Sequence, residues 1–137
     1  MLEAIAAHAR RDSPQECCGL LIGSDTEVIE AVATANIAQD PRRRYEVAPA
    51  EHFAQIRRCR DERSPDGTPL RVMGVYHSHP HSDPVPSPTD LEQAFEEFLY
   101  LIAGPAEPPG AMTIRGYRLR AGAFEVVELM EASIDDR

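Results

Sequence analysis

The chain has 137 residues, with 23 acidic and 14 basic side chains and a formal net charge of -9. This length predicts a single domain, residues 1–137, that buries a core without disulfide support. The acidic balance disfavours nucleic acid and anionic membranes as partners, and no apolar run approaches the ~18 residues of a membrane span.

Cysteine usage and the N-terminus both predict a cytoplasmic protein. The chain has three cysteines, an odd number, and Cys17 and Cys18 are adjacent. Adjacent cysteines do not easily pair with each other, and unpaired thiols are typical of a reducing compartment. The opening residues, MLEAIAAHARRDSP, lack the charged, apolar and cleavage regions of a signal peptide.

Helix and strand patterns alternate along the first part of the chain. Residues 1–10 have the period of a short amphipathic helix. The apolar run 17–22 (CCGLLI) predicts a buried strand, and 24–25 (SD) a hairpin turn. Residues 27–37 (EVIEAVATANI) and 44–47 (RYEV) are typical of two further strands.

A second helix is predicted over 50–63, because Pro49 favours the first turn of a helix. The side chains expected to face inward from this helix are Phe53, Ile56 and Cys59.

The second half continues the alternation. A strand is expected over 70–77, a helix over 88–96 after a proline-rich segment, and a strand over 98–103. Residues 112–119 and 123–129 predict a closing hairpin. The order of elements indicates a small α/β fold with one main sheet.

Two histidines end the strand predicted over 70–77. Residues two apart on a strand share a face, so His77 and His79 point together and Ser78 points away. Pro80 ends the strand, and Asp90 follows His79 by enough chain to fold back. Two histidines and one carboxylate, with a fourth position left open, are typical of a catalytic zinc site.

A purely structural role for Asp90 competes with the metal role. The segment 87–90 (SPTD) predicts a capping box, with Ser87 at the N-cap, proline at the first helical position and an acid at the third. Aspartate is shorter than the glutamate or glutamine usual there. Both interpretations remain open from these residues.

The spacing of these groups resembles the signature of the JAMM (MPN-type) metalloprotease family. The string HSHP (77–80), six residues, Ser87, two residues and Asp90 follows that pattern. The signature also needs an upstream glutamate before a strand, and Glu16 in PQECCGLLIG occupies that position. The segment resembles the bacterial branch of the family, and the likeness extends over roughly residues 5–129.

The resemblance implies a fold and a set of roles. The fold would be a single MPN domain, a mixed central sheet similar to that of cytidine deaminases, flanked by helices. His77, His79 and Asp90 would hold one Zn²⁺, which lowers the pKa of water at the metal to about 7. Glu16 would be the general acid and base, and Ser87 would stabilise the oxyanion.

The resemblance also implies a substrate class. The short chain is similar to bacterial peptidases that act on ubiquitin-like sulfur-carrier proteins and release an amino acid from the carrier's C-terminus. The carrier's glycine-rich tail is expected to add as a strand at the sheet edge beside the metal.

Other functions must be weighed against this peptidase hypothesis. A non-catalytic MPN scaffold is the main alternative, although members of that class lack metal ligands. An Fe(II) oxygenase also uses two histidines and a carboxylate, but such enzymes favour β-barrels. A zinc nucleoside deaminase needs a Cys-x-x-Cys pair, which Cys17 and Cys18 do not supply.

The remaining candidates are expected to be structural. Ser78 would supply a supporting hydrogen bond, Cys17 and Cys18 would be buried strand residues, and His81 would be exposed in a loop. His8 and His52 are predicted to be ordinary helix residues.

Overall fold

Three helices and six strands are defined in a computed structural model that describes residues 1–24, 27–95, 97–109 and 111–129. The helices are α1 (Leu2–Asp12), α2 (Pro49–Asp61) and α3 (Pro88–Glu92). The strands are β1 (Cys18–Ser24), β2 (Glu27–Thr34), β3 (Arg71–Ser78), β4 (Leu99–Pro105), β5 (Met112–Arg120) and β6 (Ala123–Val127).

The strands form one mixed sheet in the order β2-β1-β3-β4-β5-β6. Strands β3 and β4 pair in parallel, and the other neighbours pair antiparallel. Gly74 allows the parallel pair to approach closely, because a Cβ there would lie 1.8 Å from the Leu99 carbonyl oxygen. The predicted mixed α/β fold is therefore confirmed.

Strand β3, which contains His77 and ends just before His79, lies inside the sheet, between β1 and β4. The outer strands are β2 and β6. A substrate tail therefore cannot pair with β3 itself, because the neighbouring strands occupy both sides of β3. Addition of the tail at an outer strand stays a prediction.

Helices cover both faces of the sheet, so the central strands are apolar on both sides. Every residue of β1 is buried. On one face, Ile5 and Ala9 of α1 pack against Cys17, Leu21, Tyr76 and Leu101. The opposite face is formed by Leu20, Val75, Tyr100, Ile102 and Tyr117. Within the described residues, no helix is long and apolar enough to cross a membrane.

Helix α2 packs differently from its sequence pattern. Cys59 is buried, as predicted, but Phe53 and Ile56 are 59% and 38% exposed. Both side chains border grooves beside the helix instead of entering the core. The prediction of three inward-facing residues was wrong at Phe53 and Ile56, because tertiary packing determines which helix side meets the sheet.

Several predicted strands and helices have different bounds. Residues 44–47 do not form a strand; Val47 alone makes an isolated bridge to Asn36. The strand predicted over 27–37 ends at Thr34. The helix predicted over 88–96 ends at Glu92, and residue 96 lies outside the described residues.

Two further expectations concern turns. The second residue of the predicted turn at 24–25 also lies outside the described residues. The closing hairpin is confirmed, with Ala121 and Gly122 at positive φ between β5 and β6.

One histidine belongs to the buried packing of α1. His8 is 5% exposed, and its Nδ1 and Nε2 lie 2.7 Å from the Tyr76 hydroxyl and 3.1 Å from Asp12 Oδ2. Because a carboxylate only accepts, Nε2 carries the proton and Nδ1 accepts from the Tyr76 O–H. Neutral His8 therefore satisfies both neighbours.

Burial and Arg11 lower the pKa of His8 from its usual 6.5, although Asp12 raises it in part. The unfolded chain therefore binds more protons than the folded chain near this pKa, so His8 makes the protein less stable as the pH falls through 6.5. Replacing His8 with glutamine should remove this contribution. We expect the free energy of unfolding of the wild type to fall more steeply than that of H8Q between about pH 8 and about pH 5, as measured by urea denaturation. Parallel curves would contradict this assignment.

Candidate metal centre

The candidate site lies where β1 begins and β3 ends. The antiparallel register pairs Cys18 with His77. Beyond that pair, the Cys17 amide donates to Ser78 Oγ at 2.8 Å, and the Ser78 amide donates to the Cys17 carbonyl at 3.2 Å. These bonds bring Glu16, which precedes β1, to the end of the sheet that carries the histidines.

Three side chains converge at this end. Nε2 of His77 and Nε2 of His79 lie 3.2 Å from each other. Each also lies 3.2 Å from a different oxygen of Asp90, Oδ1 for His77 and Oδ2 for His79. One ligand atom from each residue falls within 4.8 Å of the others, a spacing that could hold one metal ion.

The tautomer of His79 favours a cation at this point. Its Nδ1 lies 2.9 Å from the Asp83 carbonyl oxygen, which can only accept, so Nδ1 carries the proton. In the neutral ring, Nε2 is then an unprotonated acceptor directed at Asp90 Oδ2, another acceptor. Positive charge between these atoms removes the conflict, supplied either by a proton on Nε2 or by a metal ion, whose ligands are nitrogen and oxygen lone pairs.

The pKa directions agree with a site built for positive charge. Burial raises the pKa of Asp90, but its hydrogen bonds with His77 and His79 outweigh burial, so the carboxyl stays ionised with a pKa well below 3.8. Burial lowers the pKa of His77. Burial also opposes protonation of His79, but Asp90 and the Asp83 carbonyl raise its pKa above 6.5. Two imidazole nitrogens and an ionised carboxylate that converge in this way are a donor set that fits a divalent metal.

Asp90 serves as helix cap and converging carboxylate at once. Its Oδ2 accepts from the Ser87 amide at 2.8 Å, and its own amide donates to Ser87 Oγ at 3.1 Å. This is the capping box expected from the sequence. The same carboxylate faces both histidines, so the two interpretations of Asp90 are not exclusive.

Glu16 is a buried carboxyl beside this cluster. Its side chain is 6% exposed, and Oε1 has no hydrogen-bond partner among the described residues. Burial raises its pKa to about 7, with His79 lowering it and Asp90 raising it. Its backbone is held by Pro41 and Asn36, at 2.7 and 2.9 Å. A carboxyl with this pKa exchanges protons readily near neutrality.

The residues expected to be structural lie where the sequence predicts. Ser78 supplies its hydroxyl to the start of β1. Cys17, Cys18 and Cys59 are buried free thiols, and burial raises the pKa of the first two to about 11. His81 is exposed after β3, and His52 lies on α2.

Sequence reasoning missed two residues that shape the site. Tyr45 stacks on His77, with ring centroids 4.3 Å apart and an interplanar angle of 19°. Asn36 bonds the backbone on both sides of Tyr45, donating to the Arg44 carbonyl and accepting from the Glu46 amide, each at 3.0 Å. The basic run 42–44 (RRR) that precedes Tyr45 does not indicate that Tyr45 lies against His77.

Comparison with protein families agrees with this geometry. Residues 1–118 match the family model described as prokaryotic homologs of the JAB domain. A desampylase from Haloferax volcanii is 40% identical over 118 residues, covering 81% of this chain and 78% of the relative. A CysO-cysteine peptidase from Mycobacterium tuberculosis is 30% identical, covering 96% and 88%. A probable TtuB-protein conjugate cleaving protease from Thermus thermophilus is 30% identical, covering 76% and 66%.

Solved structures show the same fold. A protein from Desulfitobacterium hafniense superposes with a TM-score of 0.77 at 28% identity, covering 94% of this chain and 86% of that one. A JAB1/MPN domain protein from Archaeoglobus fulgidus superposes with a TM-score of 0.56 at 22% identity, covering 93% and 90%.

The cluster should bind about one zinc ion per chain. We expect His79→Ala and Asp90→Ala to lose it, because each removes a converging ligand atom, as measured by plasma mass spectrometry after dialysis against zinc. His81→Ala is the matched control, since this exposed imidazole lies two residues beyond His79. Equal zinc in all four proteins would contradict the assignment of these ligands.

Proposed function

Because this chain belongs to the prokaryotic homologs of the JAB domain, we propose that it is a zinc-dependent peptidase. Its substrate would be an amide bond at the C-terminal tail of a ubiquitin-like protein of the sulfur-carrier type. The observation that carries the proposal is the buried convergence of His77, His79 and Asp90 beside Glu16. Relatives named as a desampylase and a CysO-cysteine peptidase support peptidase chemistry.

The three converging side chains have the donor set of a catalytic zinc site, with two imidazoles and one carboxylate. Zinc held there would supply Lewis acidity, which activates water and polarises a carbonyl at neutral pH. The capping box and the Asp83 carbonyl hold Asp90 and His79 in position for this role.

Glu16 moves the protons of the reaction. Its carboxylate takes a proton from the attacking water as the new C–O bond forms at the carbonyl carbon. It then gives that proton to the amine nitrogen as the C–N bond breaks, which leaves a free amine and a carboxylic acid that loses its own proton to solvent at neutral pH. Its pKa of about 7 suits both directions of transfer.

Ser87 supports the oxyanion that develops on the carbonyl oxygen. Its Oγ accepts from the Asp90 amide in the cap. A hydroxyl that accepts one hydrogen bond keeps its O–H for donation. Capping and oxyanion stabilisation therefore do not compete.

At β3 itself, the substrate tail would approach across the face of the sheet, since β3 has strand neighbours on both sides. An apolar cavity of about 280 Å³ opens on this face, and Tyr45, Phe53, Phe95 and Tyr100 are among its lining residues. A flexible tail lying between this cavity and the histidines would present its terminal amide to the metal.

Two rival functions are less well supported. A scaffold without catalysis needs no converging ligands, yet His77, His79 and Asp90 all meet here. A β-barrel oxygenase does not match a mixed sheet covered by helices on both faces.

Three free thiols fit the reducing cytoplasm in which we propose the enzyme acts.

The direct test uses sulfur-carrier proteins extended by one C-terminal residue, with trimming followed by mass spectrometry. We expect the zinc-loaded wild type to remove the extra residue. Glu16→Gln should keep its zinc and lose ~10²-fold to ~10⁴-fold in kcat, because the amide cannot take the proton.

Glu3→Gln is the matched control, since this carboxylate is 86% exposed on α1. It should trim at the wild-type rate. A wild type that binds zinc but trims none of several carriers would refute the substrate class. Full activity of E16Q would refute the role of Glu16.

Ser87→Ala should lower kcat by ~10²-fold or more without releasing zinc, because it removes the oxyanion donor. It also removes the α3 cap, so Ser87→Thr serves as the control, because threonine keeps a hydroxyl at the same position. We expect kcat to be lowered in S87A and to stay near the wild-type value in S87T. An equal loss of kcat in S87A and S87T, at unchanged zinc content, would refute the role of the Ser87 hydroxyl in stabilising the oxyanion.

A further inference from the structure

The two histidines of the metal centre are supported differently. Nδ1 of His79 is held by the Asp83 carbonyl at 2.9 Å. Nδ1 of His77 is buried and has no hydrogen-bond partner among the described residues. Metal-binding histidines almost always donate this second N–H to a carboxylate, carbonyl or water, which fixes the plane of the ring. Among the described residues, the contact that can fix the plane of His77 is its stack with Tyr45.

The ring of Tyr45 stacks against the ring of His77. The two rings lie nearly parallel at 4.3 Å, whereas His77 and His79 are tilted by 59° with centroids 5.1 Å apart. A flat ring against an imidazole resists rotation of the imidazole out of its plane by direct van der Waals contact. His77 is 1% exposed, so its surroundings leave little room for another orientation.

Tyr45 is itself held firmly, although it lies outside the helices and strands. Asn36 bonds the residue on either side of it, and a further bond joins the Ile37 amide to the Glu46 carbonyl at 3.0 Å. Asn36 also donates to the Glu16 carbonyl at 2.9 Å. The Asn36 side chain therefore connects the backbone on both sides of Tyr45 to Glu16, the residue proposed as general base.

We propose that Tyr45 is a positioning residue of the metal centre, which orients His77 by stacking flat against its imidazole ring. This inference rests on the proposed zinc site and adds the residue that orders one of its ligands. The stacking needs the aromatic ring and not the hydroxyl. Because Tyr45 also lines the apolar cavity, a substrate tail in that cavity contacts the same ring that orients His77.

The test measures zinc affinity by competition with a fluorescent chelator at neutral pH, without any peptidase assay. Tyr45→Leu should weaken zinc binding by ~10-fold to ~100-fold, the usual effect of removing support from a metal-bound histidine. Tyr45→Phe should bind zinc like the wild type. The absorption spectrum of the Co²⁺-loaded protein should change in Y45L and not in Y45F, because it reports ligand geometry.

Phe98→Leu is the matched control for lost aromatic packing. Phe98 packs against the core cluster of the same sheet face and contacts Phe95 and Tyr100. The F98L variant should keep wild-type zinc affinity. If Y45L does not fold, Tyr45→Met tests the same loss of a flat ring with a long apolar side chain.

Three results would overturn the inference. They are wild-type affinity in Y45L, an equal loss in Y45F, and an equal loss in F98L. A wild type that binds no zinc would instead refute the proposed metal site, so the two failures can be told apart.

Discussion

The pair of hydrogen bonds between Cys17 and Ser78 is the constraint on which the candidate site depends. It sets the register in which the start of β1 meets the end of β3, and so brings Glu16 to the histidines. A slip of one residue along a strand reverses the faces of all its side chains. His77 would then face α1, and the cluster with Asp90 could not form.

Three buried histidines show how neighbours decide the chemistry of one residue type. His8 has a partner for each ring nitrogen, Tyr76 and Asp12, and so serves packing in its neutral form. His79 has a carbonyl on Nδ1 and a carboxylate facing Nε2, which leaves a lone pair that a cation would satisfy. His77 has Asp90 facing its Nε2 and the ring of Tyr45 stacked against its plane. The two rings whose Nε2 atoms meet are the ones that could hold a metal ion.

Asp90 and Asn36 each serve more than one function within a small site. The Asp90 carboxylate closes the cap of α3 and faces both imidazoles, so the short helix itself holds this carboxylate beside the histidines. The Asn36 amide joins the segment that carries Tyr45 to the backbone of Glu16. Both residues have short side chains, which lose little conformational entropy when they are ordered.

The sequence by itself determined the local relations. Alternation along a strand pairs His77 with His79, the SPTD segment predicts the cap at Asp90, and the motif links both to Glu16. These relations depend on neighbours in the chain or on spacing shared by a family. Tertiary structure alone decided that β3 is internal, that Phe53 is exposed and that Tyr45 stacks on His77. Strand order, helix orientation and the bonds of Asn36 join distant segments, and no local pattern of residues encodes such contacts.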